Sequence, residues 1–271
     1  MSSWVDGDPA DTLSVKDRGL AYGDGLFETI AVRSGRPTLF ERHLQRLELG
    51  CQRLGMAFER ERIVDESLRF AGQMGDGVMK LILTRGDGLR GYAPPADAQA
   101  RRILQAGPIP AYPPVNEQHG VRLFPCQTRL AQQPRLAGLK HLNRLEQVLA
   151  RGEWQDNEHA EGLLCDTDER VIEGVYSNLF LVKDGGLLTA DLSRCGVAGV
   201  MRAELLHQAR ELKLVTDIRD LALSDLAAAD EVFLCNSVYG IWPVIGYGQL
   251  SWPVGPLTRK LQGIARALLD I

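Results

Sequence analysis

The residues whose types and spacing could do chemistry gather around one lysine. In the run Gly138-Leu139-Lys140-His141-Leu142-Asn143-Arg144-Leu145-Glu146-Gln147-Val148-Leu149, apolar residues recur at 145, 148 and 149, which is helical spacing. Pro134 and Gly138 keep the preceding segment out of a helix, so Lys140 stands on the approach to one. Drawn into a mostly apolar cleft between Leu139 and Leu142, its amine would lose hydration and its pKa would fall. It would then be nucleophilic enough to form a Schiff base with a carbonyl.

Other stretches suit binding of charged groups. Between Leu39 and Leu54, apolar residues at 40, 44, 47, 51 and 54 predict an amphipathic helix with His43 on its stripe. At about 100° per residue Arg46 falls on the flank of that stripe, from which it can reach around a domain edge to an anion. Gly196-Val197-Ala198-Gly199-Val200-Met201 leads into a second helix, with apolar residues at 201, 205, 206, 209 and 212. Glycine ahead of a helix start exposes unpaired N–H groups, a ready anion site. Glu173 has apolar residues before it and Gly174 after it, and if buried its carboxylate needs a cationic partner. In the breaker-rich loop Arg85-Gly86-Asp87-Gly88-Leu89-Arg90-Gly91-Tyr92, Arg90 can pair with a carboxylate through two hydrogen bonds, and Tyr92 can stack or donate beside it.

The elements that must position these residues read as α+β, in two mixed domains. Strand-like runs at 4–5, 13–15 and 26–32 open the chain. Tyr22-Gly23-Asp24-Gly25 suits a backbone that passes close to something bulky, or a plain tight turn. A buried strand follows at 78–84 and another at 102–106. Four prolines then crowd residues 108–114, a stiff, extended stretch that cannot join a helix or a central strand. The boundary is expected there, with a first domain over 1–108, a linker over 109–118 and a second domain over 119–271. Strand-like runs at 121–126, 179–182, 187–189 and 232–235 fill the second domain, with the runs 162–166 and 171–178 among them and Asp184-Gly185-Gly186 as a hairpin turn. A helix over 257–269 closes it.

A formal charge of −4 without a basic block offers no footprint for nucleic acid or an anionic membrane, which leaves small-molecule chemistry. Five scattered cysteines indicate neither a disulfide framework nor a zinc site and suit a reducing cytoplasm. No signal-peptide pattern, membrane-span-length apolar run, internal repeat or low-complexity tract is visible, so a soluble protein is expected.

The lysine run resembles that of the aminodeoxychorismate lyases, which belong to the fold-type IV pyridoxal-phosphate enzymes together with branched-chain and D-amino acid transaminases. Further pieces agree in family order: Asp17-Arg18-Gly19, Tyr22 to Thr29, His43-Leu44-Gln45-Arg46-Leu47, Thr84-Arg85-Gly86, Glu173-Gly174, Ser177-Asn178-Leu179-Phe180 and Gly199-Val200-Met201-Arg202. The resemblance implies two domains with pyridoxal 5'-phosphate in the cleft between them. Lys140 would hold the cofactor, Glu173 its pyridine nitrogen, and Arg46 its phosphate together with the N–H groups of Val200 and Met201. Asn236, Ser237 and Ser177 would add polar contacts. Thr29 would lie near the reacting carbons, with Phe27, Arg90 and Tyr92 on the substrate. The implied reaction is conversion of 4-amino-4-deoxychorismate to 4-aminobenzoate and pyruvate, for folate biosynthesis, by a homodimer. A transaminase would share every cofactor contact. However, D-amino acid transaminases carry a tyrosine in place of Phe27, and branched-chain transaminases carry one in place of Leu145. Tyr176 is the remaining candidate to hydrogen-bond the cofactor's phenolic oxygen. A non-enzymatic interaction protein with an incidental lysine is the third reading.

Overall fold

The computed structural model describes residues 2–88 and 90–270. The chain divides into two compact units, Met1–Pro110 with Leu139–Asn143, and Ala111–Gly138 with Arg144–Leu269. The lysine segment thus belongs to the first unit, although the sequence places it well inside the expected second domain. Its backbone explains this: Phe27 N donates to Lys140 O at 2.9 Å and Leu142 N to Gly25 O at 3.0 Å, so the segment lies along a strand of the first unit.

That unit runs β1 (Ser3–Val5), β2 (Asp8–Pro9), α1 (Arg18–Tyr22), β3 (Gly25–Arg33), β4 (Arg36–Pro37), α2 (Phe40–Leu54), α3 (Arg60–Met74), β5 (Gly77–Thr84) and β6 (Arg101–Gly107). Its strands form one antiparallel sheet in the order β2-β1-β6-β5-β3-β4. Alternation along β3 buries Leu26, Glu28 and Ile30 and leaves Phe27 and Thr29 half-buried on the opposite face. The buried side joins Leu44, Leu47, Phe70, Met79, Leu81 and Leu83 in the core. The expected strand at 13–15 does not form, and Leu13 and Val15 stay exposed. Three alternating residues select a strand only where a pairing edge is offered.

The second unit runs α4 (Pro114–Gln118), β7 (Val121–Leu130), α5 (Leu145–Arg151), β8 (His159–Asp166), β9 (Val171–Gly174), β10 (Asn178–Lys183), β11 (Gly186–Ala190), α6 (Val200–Glu211), β12 (Thr216–Arg219), α7 (Leu223–Ala228), β13 (Glu231–Asn236), β14 (Gly240–Tyr247), β15 (Leu250–Ser251) and α8 (Pro256–Leu269). The strand order is β12-β11-β10-β13-β14-β7-β8-β9, with β15 on β14. Because β9 also bonds to β10, the path closes on itself through β10, β13, β14, β7, β8 and β9. The proline-rich stretch, read as hostile to helices, ends in α4. Pro114 sits in the first turn of that helix, where its missing N–H has no intrahelical partner to lose.

Candidate active site

In the first unit the site is built on β3, α2 and the lysine segment. Gly23 adopts φ +64°, and a Cβ there would come within 2.5 Å of Asn143 Oδ1; one on Gly25 would meet Leu83 O at 2.5 Å and Leu142 Cδ1 at 2.8 Å. The glycine pair is therefore what lets the 139–143 segment lie against β3. Lys140 is half-buried, and its Nζ stands 4.5 Å from the centroid of the Phe27 ring. Lys80, opposite Thr29 on β5, brings a second ammonium 5.2 Å from the same ring.

Behind that face lies a charged cluster. Glu28 is buried and accepts from Arg46 Nε at 2.8 Å, from Arg46 Nη2 and from His43 Nδ1 at 2.6 Å. Burial pushes the Glu28 carboxyl up, but the Arg46 charge and the hydrogen bonds from Arg46 and His43 overcome this and hold it down at about 2. The His43 imidazole is driven down, by burial first; Glu28 opposes the shift, while the charges of Arg46 and Lys140 add to it. Arg46 thus reaches the flank of α2 as expected, already oriented by a bidentate carboxylate.

Arg90 and Tyr92 lie in an exposed loop. Arg18 pins it, with Nη2 donating to Tyr92 O at 3.0 Å and Nη1 to Gly91 O at 3.1 Å, and the Tyr22 ring meets the Tyr92 ring edge-on at 5.5 Å.

The second unit carries the other candidates. Glu173 is buried, and its Oε2 accepts from Val197 N at 2.9 Å and Asn178 Nδ2 at 3.4 Å. Asn178 Nδ2 also donates to Val197 O at 2.8 Å, which ties Glu173 to the approach of α6. A Cβ on Gly199 would strike Asn178 Oδ1 at 1.9 Å, so the residue capping α6 has to be glycine. No side chain caps that helix, and Val200 and Met201 form its buried first turn. Asn236 is committed to its own turn, its Oδ1 accepting from Val238 N at 2.9 Å and Tyr239 N at 3.0 Å. Ser177 Oγ donates to Glu161 at 2.8 Å. The Tyr176 hydroxyl donates to Ala160 O at 2.7 Å, which uses the one hydrogen it could offer a cofactor oxygen. Sequence reasoning missed Glu28, Lys80 and Glu161. Strand alternation could have flagged Lys80; the partners of the two glutamates become visible only in the fold.

The profile of the family described as amino-transferase class IV matches residues 25–247. The chain is 37% identical over 265 residues to the aminodeoxychorismate lyase of Vibrio harveyi, covering 96% of this chain and 98% of that one. It is 30% identical over 259 residues to a putative branched-chain-amino-acid aminotransferase of Methanocaldococcus jannaschii, covering 92% and 88%. The crystal structure of 4-amino-4-deoxychorismate lyase from Pseudomonas aeruginosa superposes with a TM-score of 0.98 at 64% identity, covering 99% of this chain and 100% of that one. The chain belongs to amino-transferase class IV.

The class IV fold accounts for the two sheets. Pyridoxal phosphate is the cofactor of class IV enzymes, and groups within each unit suit parts of it. Glu173 is a buried carboxylate oriented by two donors, suited to a protonated pyridine nitrogen. The first turn of α6 has no side-chain cap, which suits a phosphate. Lys140 Nζ stands 4.5 Å from the centroid of the Phe27 ring, on a segment paired with β3, where a primary amine is available to a carbonyl.

Proposed function

We propose that this chain is a pyridoxal-phosphate-dependent lyase that converts 4-amino-4-deoxychorismate to 4-aminobenzoate and pyruvate. The observation that carries this reading is the 64% identity, over nearly the whole of both chains, to the Pseudomonas aeruginosa lyase; the transaminase relative stands at 30%. Phe27 and Leu145 agree with it, since each stands where a transaminase class carries a phenol.

Lys140 would hold the cofactor's aldehyde carbon, Glu173 its pyridine nitrogen, and Arg46 its phosphate with the N–H groups of Val200 and Met201; Ser237 would add a polar contact, while Asn236 and Ser177 would shape the surround through the turns they hold. When bound, the cofactor supplies an electron-poor ring that takes up the electron pair of a broken C–H bond. Lys140 Nζ removes the proton from the amine-bearing ring carbon. The enolpyruvyl group leaves the adjacent carbon with the C–O electron pair, and Lys140 Nζ returns the proton to it, giving pyruvate and an aromatic product. Thr29, two residues from Phe27 on the same strand face, would contact the reacting carbons. Arg90 and Tyr92 would bind substrate carboxylate.

The assay is direct. Enzymatically made aminodeoxychorismate should yield 4-aminobenzoate and pyruvate in equal amounts. Fast amino transfer to 2-oxo acids without 4-aminobenzoate would move the assignment to a transaminase. Lys140→Ala should abolish turnover and borohydride trapping of the cofactor on the chain.

The working form in this reading is a homodimer in the cytoplasm. The helical spacing at 145, 148 and 149 does not serve the core: Leu145, Val148 and Leu149 are 76%, 63% and 65% exposed on α5. Leu145→Asp/Val148→Asp should convert a dimer to a monomer in size-exclusion chromatography. A reducing compartment suits the five cysteines, all of them free thiols.

A further inference from the structure

Glu161, near the start of β8, is completely buried, and the mechanism above does not use it. Its Oε1 accepts from the backbone N–H groups of Gly162 at 2.9 Å and Val175 at 3.0 Å. Its Oε2 accepts from Tyr176 N at 3.2 Å and Ser177 Oγ at 2.8 Å. One carboxylate thus gathers three successive residues of the turn joining β9 to β10. Gly174 makes room for it: a Cβ there would come within 2.3 Å of Ser177 Oγ and 3.0 Å of Glu161 Oε2. Glu173 and Asn178 flank this turn and face each other in the β9–β10 register.

All four donors are uncharged, and three are backbone N–H groups that can only donate. Of the side chains this shape admits, only an ionised carboxylate accepts at all four points; a glutamine would aim an NH₂ group at two of the donors. Burial pushes the Glu161 carboxyl up to about 7 against the pull of these hydrogen bonds, first that of Ser177. The titratable groups facing it are Tyr112 ahead of α4, Tyr176 in the turn, Tyr239 after β13 and the Cys126 thiol of β7. Burial raises all four, so none is charged near neutral pH.

We propose that Glu161 is a positioning residue: its carboxylate fixes the turn at residues 174–177 and thereby aims Glu173 and Asn178 at the approach to α6. The consequence for the cofactor rests on the reading of Glu173 given above. The hold on the turn does not.

The test compares wild type with Glu161→Gln by amide hydrogen exchange without cofactor, and by spectroscopic titration with pyridoxal phosphate. At pH 8 the Val175 and Tyr176 amides should lose at least tenfold in protection in Glu161→Gln while the melting temperature holds. Pyridoxal phosphate should bind about tenfold more weakly, with a shifted absorption maximum. Ser177→Ala, which deletes one of the four donors, serves for the exchange measurement alone should Glu161→Gln not fold. Equal protection in variant and wild type overturns the hold on the turn. Faster exchange with unchanged cofactor affinity and spectrum overturns the positioning role. A wild type that takes up no pyridoxal phosphate would count against the proposed function, and the exchange comparison would still decide whether Glu161 holds the turn.

Discussion

Glu28 and Glu161 are both strand carboxylates shut away from solvent, one in each unit, yet they are held at opposite ends of their range. Glu28 lies against a guanidinium and an imidazole and sits at about 2; Glu161 faces only neutral donors and sits at about 7. Four hydrogen bonds are therefore not equivalent to one formal charge. Hydrogen bonding oriented both groups, but only the adjacent cation offset the cost of burial. In the first unit the carboxylate orients an arginine and is permanently ionised near neutral pH. In the second it orients backbone, and its ionisation is poised within the range where enzymes work.

Breaking the charged cluster should have the largest effect. Glu28→Gln removes the buried carboxylate from Arg46, only 12% exposed, and should cost about 4 kcal/mol at pH 7 in urea unfolding. Because its folded pKa is depressed, the stability Glu28 contributes is full above 4.5 and is lost as pH falls through about 2. A loss below about 1 kcal/mol at pH 7 would mean the cluster is no stronger than a surface pair and would remove the contrast.

Glu161 should show the opposite slope. Its folded pKa is raised, so the folded chain binds more protons than the unfolded one from 4.5 up to about 7, and stability must decline with rising pH across that window. The decline should be on the order of 2 to 3 kcal/mol, measured as the difference between wild type and Glu161→Gln from pH 4.5 to 8. Parallel curves for the two proteins would show that charge on Glu161 costs the fold nothing.

The sequence made one side of each pairing legible. His43 and Arg46 follow from the period of α2 and Lys140 from its local company, because those signals span less than a few helical turns. Glu28 lies 15 residues from His43, and its role depends on the packing of α2 against β3. Glu161 looks like an ordinary strand glutamate until β9 and β10 fold back over it. The same limit hid α3, whose buried stripe of Ile63, Ser67, Phe70 and Ala71 is interrupted by a polar side chain and flanked by the buried Glu66. Residues 139–143 likewise join the first unit by backbone pairing with β3, and composition carries no trace of that.

The smallest effects come from two glycines of the second unit. Gly174→Ala puts a methyl against the Ser177 hydroxyl and the Glu161 carboxylate, and should cost about 1 to 2 kcal/mol because neither neighbour can move without losing a hydrogen bond. Gly263, inside α8, has nothing within 4 Å of the position a Cβ would take, and Gly263→Ala should stabilise the chain by about 0.5 to 1 kcal/mol. Thermal unfolding of the two variants gives the comparison its control. Alanine lowers the conformational freedom of the unfolded chain in both, so the difference between them reports the crowding at Gly174 by Ser177 and Glu161 together with the helix preference of alanine at 263. If both variants stabilise, the turn has slack, and a carboxylate that grips a slack turn cannot be what aims Glu173.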